Sequence, residues 1–243
     1  MSKVKIIFLG TPGFVRPIKD TLAKHFTLVE SLKEADLGVV TAFGRILKKD
    51  ELDIPKYGFL NIHPSLLPKY RGPSPIQSAI LNGDKVSGIT IIKMDEEVDH
   101  GSIIYQEKLE LSDNDNFDTL SKKMFQLAAE VLPKIIEDFV SGRIITTAQN
   151  HDQATYSHRL TRESGYFPID NPPSAEKLDR MIRAYHPWPG VWTHFRQGSS
   201  GQAKIVKFLP GGLLQMEGKR AISYKDFLNG YPNFPLKYLV SSG

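Results

Sequence analysis

There is no cysteine among the 243 residues. That absence excludes disulfides, thiolate-held zinc, iron–sulfur clusters and a cysteine nucleophile together. No apolar run approaches the about 18 residues that a membrane-crossing helix needs. The apolar stretch Val4–Leu9 is too short for a secretory signal and reads better as a first strand. Neither sign of charge dominates, with 31 Lys+Arg against 27 Asp+Glu. What is present is ordinary for a globular protein: 40% hydrophobic and 24% charged residues. The length allows one large domain or a domain and a half. A cytoplasmic enzyme or binding protein is the class that remains.

The small net charge hides an asymmetry. From residue 171 onward there are ten Lys/Arg and four Asp/Glu, whereas the first 170 residues hold 21 basic and 23 acidic side chains. A basic C-terminal part on a near-neutral body suits contact with an anionic partner, nucleic acid among them, or serves solubility alone.

Hydrophobic periodicity divides the chain into alternating strands and helices. Val4–Leu9 runs into Gly10-Thr11-Pro12, a turn with Pro at a helix start. Helix Pro12–His25 is expected to turn Phe14, Ile18 and Leu22 inward. Thr27–Val29, Leu37–Ala42, Phe59–His63, Gly88–Met94 and Ile103–Leu111 read as strands, and Pro75–Asn82 as a helix. The clearest helix is Asp118–Ser141. Leu120, Met124, Leu127, Val131, Ile135 and Phe139 recur in it at spacings of three or four, between an N-cap Asp118 and a C-cap Gly142. Such alternation predicts an α/β, Rossmann-like fold with a mostly parallel sheet. Proline and glycine cluster at 157–173, and helix Ser174–Tyr185 follows. Short β-type runs (Val191–Phe195, Lys204–Leu209, Leu213–Met216) then form a small β-rich part of about 50 residues, near the limit of independent stability. The expected division is 1–165, a catalytic domain; 166–190, a linker and helix; and 191–243, a reduced, basic, β-rich C-terminal domain.

The residues that carry chemistry end the Phe59–His63 strand. A period of two places Asn61 and His63 on one face and Ile62 on the other. Strand ends in open α/β sheets face the ligand crevice. An amide and an imidazole aimed together can hold a developing oxyanion, or serve as a cap and a core-edge histidine. Asp95-Glu96-Glu97-Val98-Asp99-His100-Gly101 lies between two strands. One carboxylate there can reach the imidazole, favour its charged form and order a water. His100 and His151 have no partners at metal-ligand spacing, and no metal site is expected.

Asn61-x-His63, then Ser65-Leu66-Leu67-Pro68, then a strand and Asp99-x-Gly101, in that order, resemble the folate-dependent formyltransferases. The resemblance implies Asn61, His63 and Asp99 as the catalytic trio and 10-formyltetrahydrofolate as co-substrate. It implies a folate lying along Phe43, Gly44, Arg45, Ile46 and Leu47, along Ser65, Leu66, Leu67 and Pro68, and along Asp95, Glu96 and Val98. Ile46 and Leu47 would wall the pterin or belong to the core, and Arg45 would contact the folate tail. Gly10-Thr11-Pro12-x-Phe14, Tyr70-Arg71-Gly72-Pro73-Ser74-Pro75-Ile76, Ala154-Thr155-Tyr156-Ser157-x-Arg159-Leu160 and Pro187-Trp188-Pro189-Gly190 look like the branch that formylates methionyl-tRNA. That branch implies methionyl-tRNA as acceptor and RNA as partner, with no membrane partner.

The chain departs from that pattern. Phe26–Val29 runs within a few residues into Asp36–Ala42, so a further β–α unit and a basic loop expected after the first helix are missing. The C-terminal domain is shortened. Arg180, Arg183, Arg196, Lys204, Lys207, Lys219 and Arg220 are candidate substitute phosphate contacts, with a solvated helix face the other reading for Arg180 and Arg183. The alternatives are a formyltransferase acting on an amino-sugar nucleotide, a formyltetrahydrofolate hydrolase, and a non-catalytic RNA-binding protein on the same scaffold.

Overall fold

The computed structural model describes residues 3–11, 13–197 and 201–236. Pro12, expected at a helix start, and residues 237–243 of the expected C-terminal domain lie outside them. The chain forms two units. The first comprises Met1–Ala79, Asp84–Asp113 and Asp118–Arg159; the second comprises Ile80–Gly83, Asn114–Phe117 and Leu160–Gly243.

The first unit is built on a six-stranded sheet. Its strands are β1 (Lys5–Leu9), β2 (Thr27–Val29), β3 (Leu37–Val40), β4 (Phe59–His63), β5 (Val86–Lys93) and β6 (Ile103–Glu110), in the order β2-β1-β3-β4-β5-β6. The pairings β1–β2, β1–β3 and β3–β4 are parallel; β4–β5 and β5–β6 are antiparallel. The fold is thus α/β, with a Rossmann-like parallel half extended by an antiparallel hairpin. All of β3 and the run Ser87–Ile92 of β5 are buried, as strands covered on both faces require. β6, at the edge, instead alternates burial and exposure.

Between β1 and β2 lies α1 (Arg16–His25), preceded by a single 3-10 turn at Gly13–Val15. Ile18 and Leu22 are its buried residues. Only a 3-10 turn, Leu32–Glu34, separates β2 from β3. α2 (Lys49–Leu52) and α3 (Pro75–Asn82) lie in the segments on either side of β4.

The long helix α4 spans Phe117–Val140, so Asp118 falls inside its first turn rather than at the cap. Gly142 follows with φ +74°. Its buried face is Leu120, Ser121, Met124, Phe125, Ala128, Ala129, Leu132 and Ile136. The expected stripe therefore holds at Leu120 and Met124 and then drifts. Leu127, Val131, Ile135 and Phe139 are only half-buried. The two alanines explain the drift: small side chains admit close packing, and the face rotates to centre on them.

The second unit carries an antiparallel sheet in the order β10-β9-β8-β7. β7 is Val191–Arg196, β8 Ala203–Leu209, β9 Leu213–Met216 and β10 Ile222–Ser223. One face buries Val191, Thr193, Phe195, Val206, Phe208, Leu214 and Met216 at alternate positions. Residues 166–190, expected as a linker and helix, fall within this unit. α5 (Ala175–Tyr185) is capped by Ser174 and buries Leu178, Met181, Ala184 and Tyr185. Ile182 is only half-buried. The Thr193 hydroxyl donates to the Phe167 carbonyl at 2.7 Å. A further short helix, α6 (Tyr224–Gly230), supplies Phe227. Phe227 and Phe234 are wholly buried, with ring centres 5.1 Å apart, and Phe195 lies 5.1 Å from Phe234. Aromatic edge-to-face packing gives this small unit a core that its aliphatic residues alone would not.

Gly38 in β3 pairs with Phe59 in β4, and a Cβ on Gly38 would stand 2.0 Å from that ring. Gly38→Ala is expected to cost about 1–3 kcal/mol. Phe59→Leu in the same chain should recover part of the loss, read as Tm. At the start of α2, the Arg45 guanidinium donates to both Glu51 oxygens at 2.8 and 2.9 Å, and the Lys48 N–H donates to Glu51 at 3.1 Å. The Arg45 bond, then the Lys48 N–H, hold the Glu51 carboxyl down at about 2 from its usual 4.5. A depressed carboxyl pKa stabilises above the unfolded value and loses that contribution as pH falls through the folded one. The Tm difference between wild type and Glu51→Gln should be constant above the usual value and shrink to nothing between 4.5 and about 2.

Candidate active site

The parallel strands β1, β3 and β4 end together, with Leu9 beside Val40 and Val40 beside Asn61. At that edge the Thr41 hydroxyl donates to the Ile62 carbonyl at 3.0 Å. It ties the residue after β3 to the peptide between Asn61 and His63. Ile62 is buried in the core on one face of β4. Asn61 and His63 both reach a third side chain, Asp99.

Asp99 comes from the loop between β5 and β6. Its Oδ1 accepts from Asn61 Nδ2 at 2.9 Å and lies 3.4 Å from His63 Nδ1. The first is a hydrogen bond; the second is an ion-pair distance, longer than such a bond usually is. Asp99 Oδ2 accepts from the Gly72 N–H at 2.7 Å. His63 Nε2 lies 2.9 Å from the Tyr70 carbonyl oxygen. A carbonyl only accepts, so Nε2 carries a proton and donates. This leaves Nδ1 facing the carboxylate. His63 is 4% exposed, and the Asp99 side chain 10%. Little water competes with these contacts, so each is stronger than at a surface.

The segment 70–72 is shaped for this task. Tyr70 has φ +60° and Gly72 φ +103°. These left-handed backbones turn the Tyr70 carbonyl to the imidazole and the Gly72 N–H to the carboxylate. The Arg71 N–H donates to Thr155 O at 2.8 Å, and Ser157 N–H donates to Arg71 O at 2.7 Å. Tyr70, Arg71 and Gly72 stand in a quoted motif, but their contribution is made by backbone atoms that residue types do not disclose.

The other expected positions separate. Leu47 is core, packed with Ile7, Val40, Leu52 and Phe59, and Phe43 lies partly buried against that cluster. Ile46 is 67% exposed, and Gly44 is exposed with φ +76°. Arg45 pairs with Glu51, with its guanidinium over the Phe43 ring at 5.5 Å. The backbone at Ser65–Pro68 is largely engaged within the protein. Thr90 Oγ1 donates to Ser65 O at 2.6 Å and accepts from the Leu67 N–H at 3.0 Å. Lys69 N–H donates to Leu66 O at 3.0 Å, and Thr155 N–H to Pro68 O at 3.1 Å. Asp95 accepts from the Glu97 N–H at 3.1 Å and pairs with His100 Nδ1 at 2.6 Å. Glu96 pairs with Lys49 at 2.9 Å, and Val98 is half exposed.

A cleft of about 610 Å³ is lined by Asp95 and Glu96, but by none of the other expected folate positions. Lys49, Lys56, Lys93, Asp53, Glu97, Tyr57 and Met94 are among its remaining walls. Among the described residues, no three His, Cys, Asp or Glu side chains are placed to hold a metal ion, and no helix is long and apolar enough to cross a membrane.

Comparison with known proteins bears on this arrangement. Residues 19–136 match the family described as formyl transferase. A methionyl-tRNA formyltransferase of Roseiflexus sp. (strain RS-1) is 44% identical over 161 residues, 66% of this chain but 49% of that protein. One from Caldicellulosiruptor saccharolyticus is 36% identical, with 87% of this chain and 77% of its own length covered. The chain thus spans about half the length of the first and over three quarters of the second. The solved methionyl-tRNA formyltransferase from Clostridium thermocellum shares the fold, with a TM-score of 0.65 at 18% identity over 90% of this chain and 96% of that one. With an extended alignment of this strength, and with an Asn, a His and an Asp gathered at the end of β4, this chain belongs to the methionyl-tRNA formyltransferase family.

Proposed function

We propose that this protein moves a formyl group from 10-formyltetrahydrofolate to the amino group of methionyl-tRNA, as translation initiation requires. The observation that carries the reading is the Asp99 carboxylate held between the Asn61 amide and the His63 ring at a strand end. An amine attacking a formyl carbon throws negative charge onto the formyl oxygen, and the amine must lose a proton. Asn61 Nδ2 has two hydrogens and commits one to Asp99, leaving the other for the oxygen. His63 spends its Nε2 proton on Tyr70, so a proton on Nδ1 is the one it shares between Asp99 and the developing charge. Asp99 orients the ring and, through a water, takes the amine's proton and returns one to the folate nitrogen as that nitrogen's bond to the formyl carbon breaks.

The co-substrate supplies the formyl group on a flat, partly polar heterocycle. The loops that follow β3 and carry Asp99 fit it. Each presents an exposed apolar side chain, Ile46 and Val98. Phe43, Gly44 and Leu47 support the first loop; Asp95 and Glu96 offer acceptors on the second. Ser65, Leu66, Leu67 and Pro68, their backbone already bonded, brace the strand end rather than bind. Arg45 would reach the folate tail only by giving up Glu51.

The RNA partner rests on charge. Arg180 pairs with Glu176 at 3.1 Å and Arg183 with Asp179 at 2.8 Å, so those two are a paired helix face. Arg196, Lys204, Lys207 and Arg220 are exposed and make no ion pair among the described residues. These four are the phosphate contacts of this reading.

Incubation with 10-formyltetrahydrofolate and methionyl-tRNA should yield formyl-methionyl-tRNA; release of formate alone would make the protein a hydrolase. Asn61→Ala, His63→Ala and Asp99→Asn should each lower kcat by about 10²–10³-fold. A purified His63→Ala protein with near-normal turnover would sink the mechanism. If four cations meet phosphates, log kcat/KM for tRNA should fall against log salt with a slope of about −3. A flat response would remove the RNA contacts from this surface.

A further inference from the structure

We infer that Gln149 and Arg71 are positioning residues for the Asp99 carboxylate, joined to it by one buried amide. This rests on the reading of Asp99 as the reacting carboxylate. Asp99 is set in the left-handed region, with φ +52°. For a residue with a Cβ that conformation is strained, and it persists only where the surroundings hold it. The holding group is Gln149, fifty positions further along the chain. Its Nε2 donates to the carbonyl of Asp99 at 2.9 Å and to that of Gly101 at 2.8 Å. One NH₂ group thus ties down two carbonyls of the loop, on either side of His100.

The opposite end of the amide is held just as firmly. Arg71 donates to Gln149 Oε1 from Nε at 3.2 Å and from Nη2 at 2.7 Å. Its Nη2 also lies 2.8 Å from His151 Nδ1, which must accept from a guanidinium that has only donors. Arg71 is 3% exposed and Gln149 5%. The amide has one workable orientation. Carbonyls on one side require NH₂, and a guanidinium on the other requires oxygen.

Arg71 is flanked by the two residues whose backbones hold the trio. Tyr70 O receives the His63 proton and Gly72 N–H holds Asp99 Oδ2. Arg71 and Gln149 therefore couple the loop that carries Asp99 to the segment that aims His63. Neither touches the reacting atoms. Arg71→Lys would replace a planar fork with a single ammonium and loosen the same link.

The discriminating variant is Gln149→Glu. It keeps the volume and gives Arg71 a carboxylate to pair with, so the fold is retained. It also turns an oxygen toward two carbonyl oxygens and releases the Asp99 loop. The expected result is a kcat for formyl transfer lowered about 10²-fold, the effect of an ångström-scale misplacement, with KM for the folate within about threefold and Tm little changed. Arg71→Lys should show a smaller loss of the same kind. A purely structural role would instead lower Tm and leave kcat intact well below it.

Asp99→Asn is assayed alongside. If Asp99→Asn is inactive and Gln149→Glu turns over at the wild-type rate, the positioning inference is overturned and the catalytic reading stands. If Asp99→Asn is fully active, the catalytic reading itself falls. A second measurement needs no turnover. The His63 ring ¹⁵N resonances should move in Gln149→Glu toward their positions in Asp99→Asn, and unmoved resonances would overturn the inference whatever the activity.

Discussion

The Asp99 carboxylate takes a side-chain N–H on one oxygen and a backbone N–H on the other, with an imidazole nitrogen 3.4 Å from the first. Every other feature at this end of the sheet serves to keep that arrangement in place. A carboxylate buried this far would be costly without partners, since its desolvation has to be offset by hydrogen bonds to its charged form. The partners come from three separate stretches of chain: β4, the 70–72 segment and the β5–β6 loop. Their meeting depends on the sheet beneath. β3 and β5, buried along almost their whole length, clamp β4 between them and fix where Asn61 and His63 emerge.

Secondary bonds extend the same constraint outward. Thr41 ties the end of β3 to the Ile62 peptide, and Thr90 ties Ser65 and Leu67 to β5. The Ser65–Pro68 segment is thus a brace for the strand end, with its own polar groups largely satisfied.

Much of the site was legible in the sequence because its central part follows a strict period. Asn61 and His63 sit two apart on a strand, so a face assignment needs no tertiary knowledge. Asp99 stands in an acidic loop whose place between two strands is plain. Arg71 and Gln149 were not legible in this way. Gln149 is a lone amide in a loop, and what it binds are carbonyls, which every residue carries. The same holds for Gly72 N–H and Tyr70 O. In the fold, the parallel strands, α3 and the span of α4 follow from periodicity, but the buried face of α4 rotated because Ala128 and Ala129 pack as core, where a count of large apolar residues passes over them. α6 escaped notice because a seven-residue helix has too few turns to show a period. Residues 166–190 read as a linker and helix, and the helix is there as α5, which is amphipathic and buries four side chains.

The use of backbone atoms at 70–72 bears on which substitutions these positions tolerate. Where a carbonyl or an N–H does the holding, selection acts on torsion angle rather than on side-chain chemistry. Gly72 shows the extreme form. Its φ of +103° already disfavours any side chain, and an added Cβ would lie 2.9 Å from the Ser157 carbonyl oxygen. Its alphabet shrinks to a single letter although glycine contributes no functional group. Tyr70, with φ +60°, has more latitude in principle, but its hydroxyl donates to Asp84 at 2.8 Å, well away from the imidazole its carbonyl serves. One residue there answers to two unrelated demands, and a replacement that meets the hydroxyl's need must still adopt the torsion that the histidine requires.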